Sequence, residues 1–324
     1  MSSISHRLPD YMKAALDSLC CFLLIWLLVV ASVCHVHGQN RRVIEGQDSV
    51  NMTLDLSYAG NENPRQKLDL LLPKDQDSGE RLPVLAYVHG GAFKGGHKRG
   101  GHRHLMKYVA TGKFAGVTIG YRLSGEAIWP AQIHDCKAGI RWIRANAEKY
   151  GLDPNRILVW GHSAGGHLSS MVGTTGDVSS LEGAVGPHSS FSSRVHAVCN
   201  YFGPSDFLKM DAHRLPDGLI HNSAKSPESL LVGGAIQELR EIVATANPIT
   251  YISPDDPPFL SIHGQLDPLV PAHQSIILHE ALDRVGVSSE LYLVKEGGHG
   301  GFKDPRVPEL EAKFMEAFRD SSRR

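Results

Sequence analysis

Two periodicities alternate along this chain. Near its start, Val50, Met52, Leu54 and Leu56 are separated by Asn51, Thr53 and Asp55, and Leu68, Leu70 and Leu72 are separated by Asp69 and Leu71. Successive side chains of a strand point to opposite faces, so this two-residue rhythm predicts an antiparallel opening pair. The pattern then changes. Val84 to Val88 is apolar without a break, as expected of a strand covered on both faces, and similar runs follow at Gly116 to Tyr121, Ile157 to Trp160, Val195 to Phe202, Phe259 to His263 and Leu291 to Val294. Between these runs the apolar positions return at helical spacing. Ile133, Cys136, Ile140, Ile143 and Ala147 lie between Pro130 and Gly151, and further faces are Leu168, Met171 and Val172, then Leu278, Ala281, Leu282 and Val285, and finally Leu310, Phe314 and Phe318. Strand and helix in alternation predict an α/β fold: a mostly parallel central sheet with helices on both faces and functional sites at the carboxyl ends of the strands. The stretch from Lys209 to Ala246 breaks the rhythm with Pro216, Gly218, Pro227, Gly233 and Gly234. It is expected to be a short, helical, cap-like insertion over the site, with an ordinary long crossover as the alternative.

Neither the repeat pattern nor the composition marks a second domain, and 39–324 is read as one folded unit. The first residues differ. Leu19 to Val33 is almost wholly apolar, Lys13 supplies a positive charge ahead of it, and Val36 and Gly38 are small residues suited to cleavage before Gln39. The run is shorter than the ~20 residues of a comfortable membrane span. Residues 1–38 are therefore expected to be a signal peptide that makes the protein secreted or periplasmic, with an uncleaved N-terminal anchor as the alternative and the sole route to a membrane. Only Cys136 and Cys199 lie beyond this leader, so the fold is no disulfide scaffold, and the two are read as separate core thiols. The 33 basic and 34 acidic residues nearly balance, which argues against a nucleic-acid partner.

The chemistry gathers just past the predicted strand ends. Trp160, Gly161, His162, Ser163, Ala164, Gly165 and Gly166 join a strand to a helix, with glycine two residues before and two after a serine. That is the pattern of a strained elbow that pushes a nucleophilic hydroxyl outward. Serine needs a base, an acid to orient the base, and donors for a developing oxyanion. His299, within Gly297 to Gly301, follows the strand Leu291 to Val294, and Asp267, in Gly264 to Pro268, follows Phe259 to His263. With 18 histidines in the chain, position past a strand matters more than residue type. Asp206, after the strand ending at Phe202, is the competing acid. The backbone amides of Gly90 and Gly91, after the strand Val84 to Val88, and of Ala164 are the candidate oxyanion donors. His97, Lys98, Arg99, His102, Arg103 and His104 could meet an anion or a metal, but their spacing fits no catalytic zinc motif, so they are read as a solvated basic loop.

The order Ser163, Asp267, His299, together with His89 to Phe93, Trp129 to Lys137, Asp255 to Phe259 and His263 to Pro271, resembles the α/β-hydrolases of the esterase/lipase group with an H-G-G oxyanion motif. That group is related to hormone-sensitive lipase and includes bacterial acetyl xylan and feruloyl esterase-like proteins. The resemblance covers about Leu68 to Phe318. It implies an α/β-hydrolase fold and a cofactor-free, metal-free serine carboxylesterase acting through an acyl-enzyme on a small ester or an esterified carbohydrate, such as acetyl or feruloyl esters of plant polysaccharide. Amide hydrolysis by the same triad, as in a peptidase or an arylformamidase, and a non-catalytic binding protein on a hydrolase scaffold are the alternatives. Two positions depart from the pattern: Ala92 stands where a third glycine is usual, and His162 precedes the nucleophile.

Overall fold

The computed structural model describes residues 46–75 and 80–321, and the expected leader at 1–38 lies outside them. Among the described residues the sheet has eight strands: β1 (Val50–Ser57), β2 (Lys67–Pro73), β3 (Leu82–Val88), β4 (Ala115–Ile119), β5 (Leu152–His162), β6 (Ala197–Tyr201), β7 (Phe259–Gly264) and β8 (Ser289–Val294). Their spatial order is β1-β2-β4-β3-β5-β6-β7-β8. β1 pairs antiparallel with β2 and β2 with β4, and every later neighbour is parallel. The two-residue rhythm and the continuous apolar runs were thus the signatures of the antiparallel edge and the parallel centre. Every residue of β3, β4, β6 and β7 is buried.

The eight-residue α1 (His102–Val109) and the closing α8 (Arg306–Asp320) cover one face of the sheet; α2 (Ala131–Ala145), α4 (Ala164–Thr174) and α7 (His273–Arg284) cover the other, with the short α3 (Ala147–Tyr150) following α2. Alternate residues of a strand serve opposite cores. Val84, Ala86 and Val88 pack with Ile140, Leu168, Met171 and Leu278, whereas Leu85 and Tyr87 pack with Leu105, Met106, Met315 and Phe318. Cys136 and Cys199 are free and buried in these two different cores, as expected of separate thiols. In α8 the deeply buried positions are Val307, Glu311, Met315 and Phe318; of the predicted face Leu310, Phe314 and Phe318, the last is buried as expected, while Leu310 and Phe314 are half-buried and the residues one step on, Glu311 and Met315, take their place. The shift buries a carboxylate, Glu311.

Between β6 and β7 the chain makes 3-10 turns at Phe207–Lys209 and Asp211–His213 and two short helices, α5 (Pro227–Val232) and α6 (Arg240–Thr245). Ser226 caps α5 by accepting the Ser229 N–H, Pro227 occupies the first turn, and Gly233 closes the helix at φ 85°.

The basic stretch at 97–104 is only in part the solvated loop expected from the sequence: His97, Arg99 and Arg103 are exposed, but Lys98 and His102 are buried. Lys98 is 1% exposed, and its Nζ lies 2.6 Å from Oδ1 of the wholly buried Asp69 and 2.5 Å from Asp55 Oδ1. His102 Nε2 lies 2.9 Å from Asp69 Oδ2, and the Asp55 N–H donates to Asp69 Oδ1 at 2.8 Å. Burial pushes the Asp69 carboxyl up, but the donors from His102 and Lys98 outweigh it and hold its pKa at about 2. The pair staples the loop after β3 to the antiparallel edge. Removing Asp69 leaves the buried Lys98 ammonium with only the half-exposed Asp55 as its counter-charge and His102 without its acceptor, so Asp69→Asn is expected to cost about 3–5 kcal/mol in denaturant unfolding. A loss below about 1 kcal/mol, the worth of an exposed pair, would contradict this account.

Candidate active site

Strand register brings the site together. Val88 is level with Gly161, His162 with Tyr201, Tyr201 with Ile262, and Gly264 with Val294, so the carboxyl ends of β3, β5, β6, β7 and β8 form one rim. Each predicted site residue lies on a loop or helix start leaving that rim.

Ser163 is the hinge between β5 and α4, with φ 56° and ψ −125°, a conformation that costs about 1–3 kcal/mol for a residue with a side chain. The neighbouring backbone leaves no choice at the flanking glycines. A Cβ on Gly161 would lie 2.1 Å from the Gly165 carbonyl oxygen, and one on Gly165 would lie 2.1 Å from that of Val88. These contacts lock the turn to β3.

His299 Nε2 lies 2.9 Å from Ser163 Oγ, and Nδ1 lies 2.7 Å from Asp267 Oδ2. A carboxylate only accepts, so Nδ1 carries the proton and Nε2 is left as an acceptor for the serine hydroxyl. Asp267 is 1% exposed and accepts the Leu269 and Val270 amides on Oδ1 at 2.8 and 2.9 Å. Burial pushes its pKa up, yet hydrogen bonds from His263 and His299 more than offset this and hold the carboxyl well below the usual range. Asp206, the competing acid, instead accepts the Leu208 N–H, lies 3.3 Å from Asn247 Nδ2 and pairs with Lys209. It serves the insertion's first turn.

Gly90 stands directly against the elbow: a Cβ there would be 2.7 Å from His162 O and 3.4 Å from Ser163 Cβ. The Gly91 carbonyl accepts from Lys94 and Gly95, closing a tight turn. The amides of Gly90, Gly91 and Ala92 find no acceptor among the described residues. Ala92 sits at φ 54°, the left-handed conformation that a third glycine would hold without strain, and lines the same cavity as Ser163 and Ala164. Ala164 opens α4, so its N–H is one of the four unsatisfied donors of a helix start.

These features belong to a recognisable group of sequences. A family model described as BD-FAE matches residues 68–282. The chain belongs to the BD-FAE family. The probable carboxylic ester hydrolase LipM of Mycobacterium tuberculosis is 33% identical to this BD-FAE member over 238 residues, 74% of this chain and 53% of that protein. Esterase LipC of the same organism is 35% identical over 244 residues, 74% and 58% respectively, so the chain spans little more than half the length of these curated relatives. Among solved structures, a truncated form of carbohydrate esterase from gut microbiota matches with a TM-score of 0.77 at 33% identity, covering 84% of this chain and 98% of that one. The α/β-hydrolase fold anticipated from the sequence is the fold of this BD-FAE member.

Two cavities flank His299. One, of about 620 Å³, includes Ser163, Ala164, Phe93, Leu219, Ile220 and Leu269. The other, of about 490 Å³, includes Tyr87, His104, His162, Phe202 and Phe302. His162, the least interpretable residue of the sequence pattern, stacks on Tyr201 with ring centres 4.5 Å apart, meets His104 at 4.5 Å and lies 2.9 Å from the Tyr87 hydroxyl through Nδ1. Burial, helped by neighbouring His104 and Arg103, keeps its pKa well below the ordinary imidazole value, so it is neutral near pH 7.

Sequence reasoning gave no role to three supports of this BD-FAE site. His263 places Nε2 2.9 Å from Val270 O and 3.3 Å from Asp267 Oδ2, while Nδ1 meets Ser275 Oγ at 2.7 Å. The carbonyl only accepts, so His263 holds its proton on Nε2, towards the acid. Its place four residues before Asp267, at a strand end, was the available signal. Glu311 was visible as a carboxylate at helical spacing with Val307 and Met315, and Ala92 as the neighbour of two chosen glycines.

His104 carries a pH consequence. Burial first, then the charges of Arg103 and Lys107, lower its pKa from 6.5 to about 4. Between those values the unfolded chain binds a proton that the folded chain refuses, so stability present above about 6.5 is lost as pH falls towards 4. Thermal unfolding of His104→Phe is expected to show a flatter Tm profile across this window than the unaltered protein. Parallel profiles would count against the neutral imidazole.

Proposed function

We propose that this chain is a serine carboxylesterase. The observation that carries the reading is the unbroken relay from Asp267 Oδ2 to His299 and on to Ser163 Oγ, at 2.7 and 2.9 Å. Ser163 Oγ attacks the ester carbonyl carbon as His299 Nε2 takes its proton. Asp267 holds Nδ1–H and stabilises the imidazolium, which then protonates the departing alcohol oxygen. Water repeats the cycle on the acyl-enzyme with His299 again as base, releasing the acid. The carbonyl oxygen, negative in each tetrahedral intermediate, is held by amides of the turn at Gly90 and Gly91, by Ala92 beside them, and by Ala164 at the start of α4, each such donor being worth about 10²–10³ in rate.

The substrates proposed are acyl esters of carbohydrate, with acetyl and feruloyl esters of plant polysaccharide as the leading class. The names of the relatives support this reading: LipM is called a probable carboxylic ester hydrolase, and the matched gut-microbiota structure a carbohydrate esterase. Export by the apolar segment at residues 19–33, to the periplasm or outside the cell, would bring the enzyme to such polymers. A leader that stays uncleaved would hold it at the membrane instead.

Ser163→Ala is expected to abolish release of p-nitrophenol from short acyl esters, and labelling by a fluorophosphonate probe, while leaving Tm near that of the unaltered protein. Retained turnover in this variant would end the assignment. Asp267→Asn presents the wrong tautomer of His299, and its kcat is expected to fall about 10⁴-fold. A fall of less than about tenfold would mean that another group orients the base.

A further inference from the structure

Resting on the serine-esterase reading, we propose that Phe202 is a positioning residue of the reaction: its ring sets the His299 imidazole against Ser163, and its backbone is held in a strained conformation that keeps the ring there. Phe202 has φ 43°. For a residue with a Cβ this left-handed region is disfavoured, and for one as bulky as phenylalanine it is an outlier that persists only where the surroundings leave no alternative. Glycine would make the same turn without strain. The side chain is therefore retained here against the preference of its own backbone.

The main chain on either side is tied to the elbow. One residue earlier, the Tyr201 carbonyl accepts the Ser163 N–H at 2.8 Å, and the Phe202 N–H itself donates to Ile262 O at 2.9 Å. One residue later, the Gly203 N–H donates to Asn200 Oδ1 at 3.0 Å, and a Cβ on Gly203 would stand 2.4 Å from the backbone nitrogen of His167, in the first turn of α4. Phe202 thus lies between a residue bonded to Ser163 and one pressed against the helix that Ser163 opens. Its backbone cannot relax unless the turn of the nucleophile moves with it.

The ring reaches the base. Its centre lies 4.5 Å from that of His299, 5.5 Å from that of His162, the residue before Ser163, and 6.2 Å from that of His263, the neighbour of Asp267. Contact with the base's own loop is just as close: a Cβ on Gly300 would lie 3.1 Å from Phe202 Cζ. Hydrogen bonds through Nδ1 and Nε2 fix two points of the His299 imidazole and leave it free to turn about the line joining them. A third contact off that line is needed to stop the rotation, and the Phe202 ring supplies it. With its backbone bound to the nucleophile's turn and its ring against the base, Phe202 sets the 2.9 Å separation of Ser163 Oγ and His299 Nε2. A phenylalanine serving only to fill the core would need neither the strained backbone nor this neighbour.

Phe202→Ala and Phe202→Gly both remove the ring, but only glycine relieves the strain, so the pair separates positioning from packing. On p-nitrophenyl acetate, kcat is expected to fall about 100-fold in both variants with KM little changed, because a displaced base is felt in the transition state and not in binding. Stability is expected to part company with rate: Tm should be about 2 °C higher in Phe202→Gly than in Phe202→Ala. The low-field proton resonance of His299 Nδ1–H, sharp in the unaltered protein, is expected to broaden or vanish in both. A kcat that recovers with Tm from the alanine to the glycine variant, or one within about threefold of the unaltered value in either, would overturn the positioning role and leave the esterase reading intact. An unaltered protein that hydrolyses no ester would overturn that reading instead, and an Nδ1–H resonance unchanged in both variants would overturn the placing of His299 by Phe202 independently of any turnover.

Discussion

The site depends on a backbone contact rather than on any side chain. β3, β5 and the start of α4 approach one another so closely that no Cβ fits at Gly161 or Gly165. That approach fixes Ser163 in a conformation it would not choose alone, turns its hydroxyl away from the sheet and presents the first amides of α4 beside it. Gly90 approaches the same turn from the end of β3. The proposed nucleophile and oxyanion donors are thus held by one piece of geometry, so they cannot drift apart independently. The strain at Ser163 is tolerable because α4 and β5 are pinned by a core that buries every residue of α4.

Electrostatics around the hinge are correspondingly simple. Among the described residues, Asp267 is the one buried carboxylate hydrogen-bonded to His299, and its donors keep it ionised. Imidazoles around the elbow are pushed the other way: burial lowers His89 and His104 to about 4 and holds His162 well below the ordinary imidazole value. Those neighbours therefore add no positive charge beside His299, which keeps its hydrogen bond to the Asp267 carboxylate.

Much of this was legible in the chain. Unbroken apolar runs gave away the parallel strands because both of their faces are covered, and the residues following those runs proved to share one rim. The Lys98–Asp69 pair was not legible. Its members are 29 positions apart, and a basic stretch in a loop is ordinarily solvated; nothing local shows that a buried carboxylate on β2 faces it. Asp206 illustrates the same limit from the other side, since its position past β6 suited the acid's role but its hydrogen bonds go to its own turn and to Asn247. Local pattern predicts where a side chain starts; the fold decides what it meets.

Glu311 adds a mechanical consequence. Through one carboxylate, the last helix of the described chain is tied to Lys107 and Tyr108 on α1 and to Tyr201 at the end of β6. The C-terminal helix is therefore a strut as well as a cover. Fraying of α8 would slacken the tyrosine on which His162 stacks, so events at that helix can be transmitted to the residue beside Ser163 without anything entering the site.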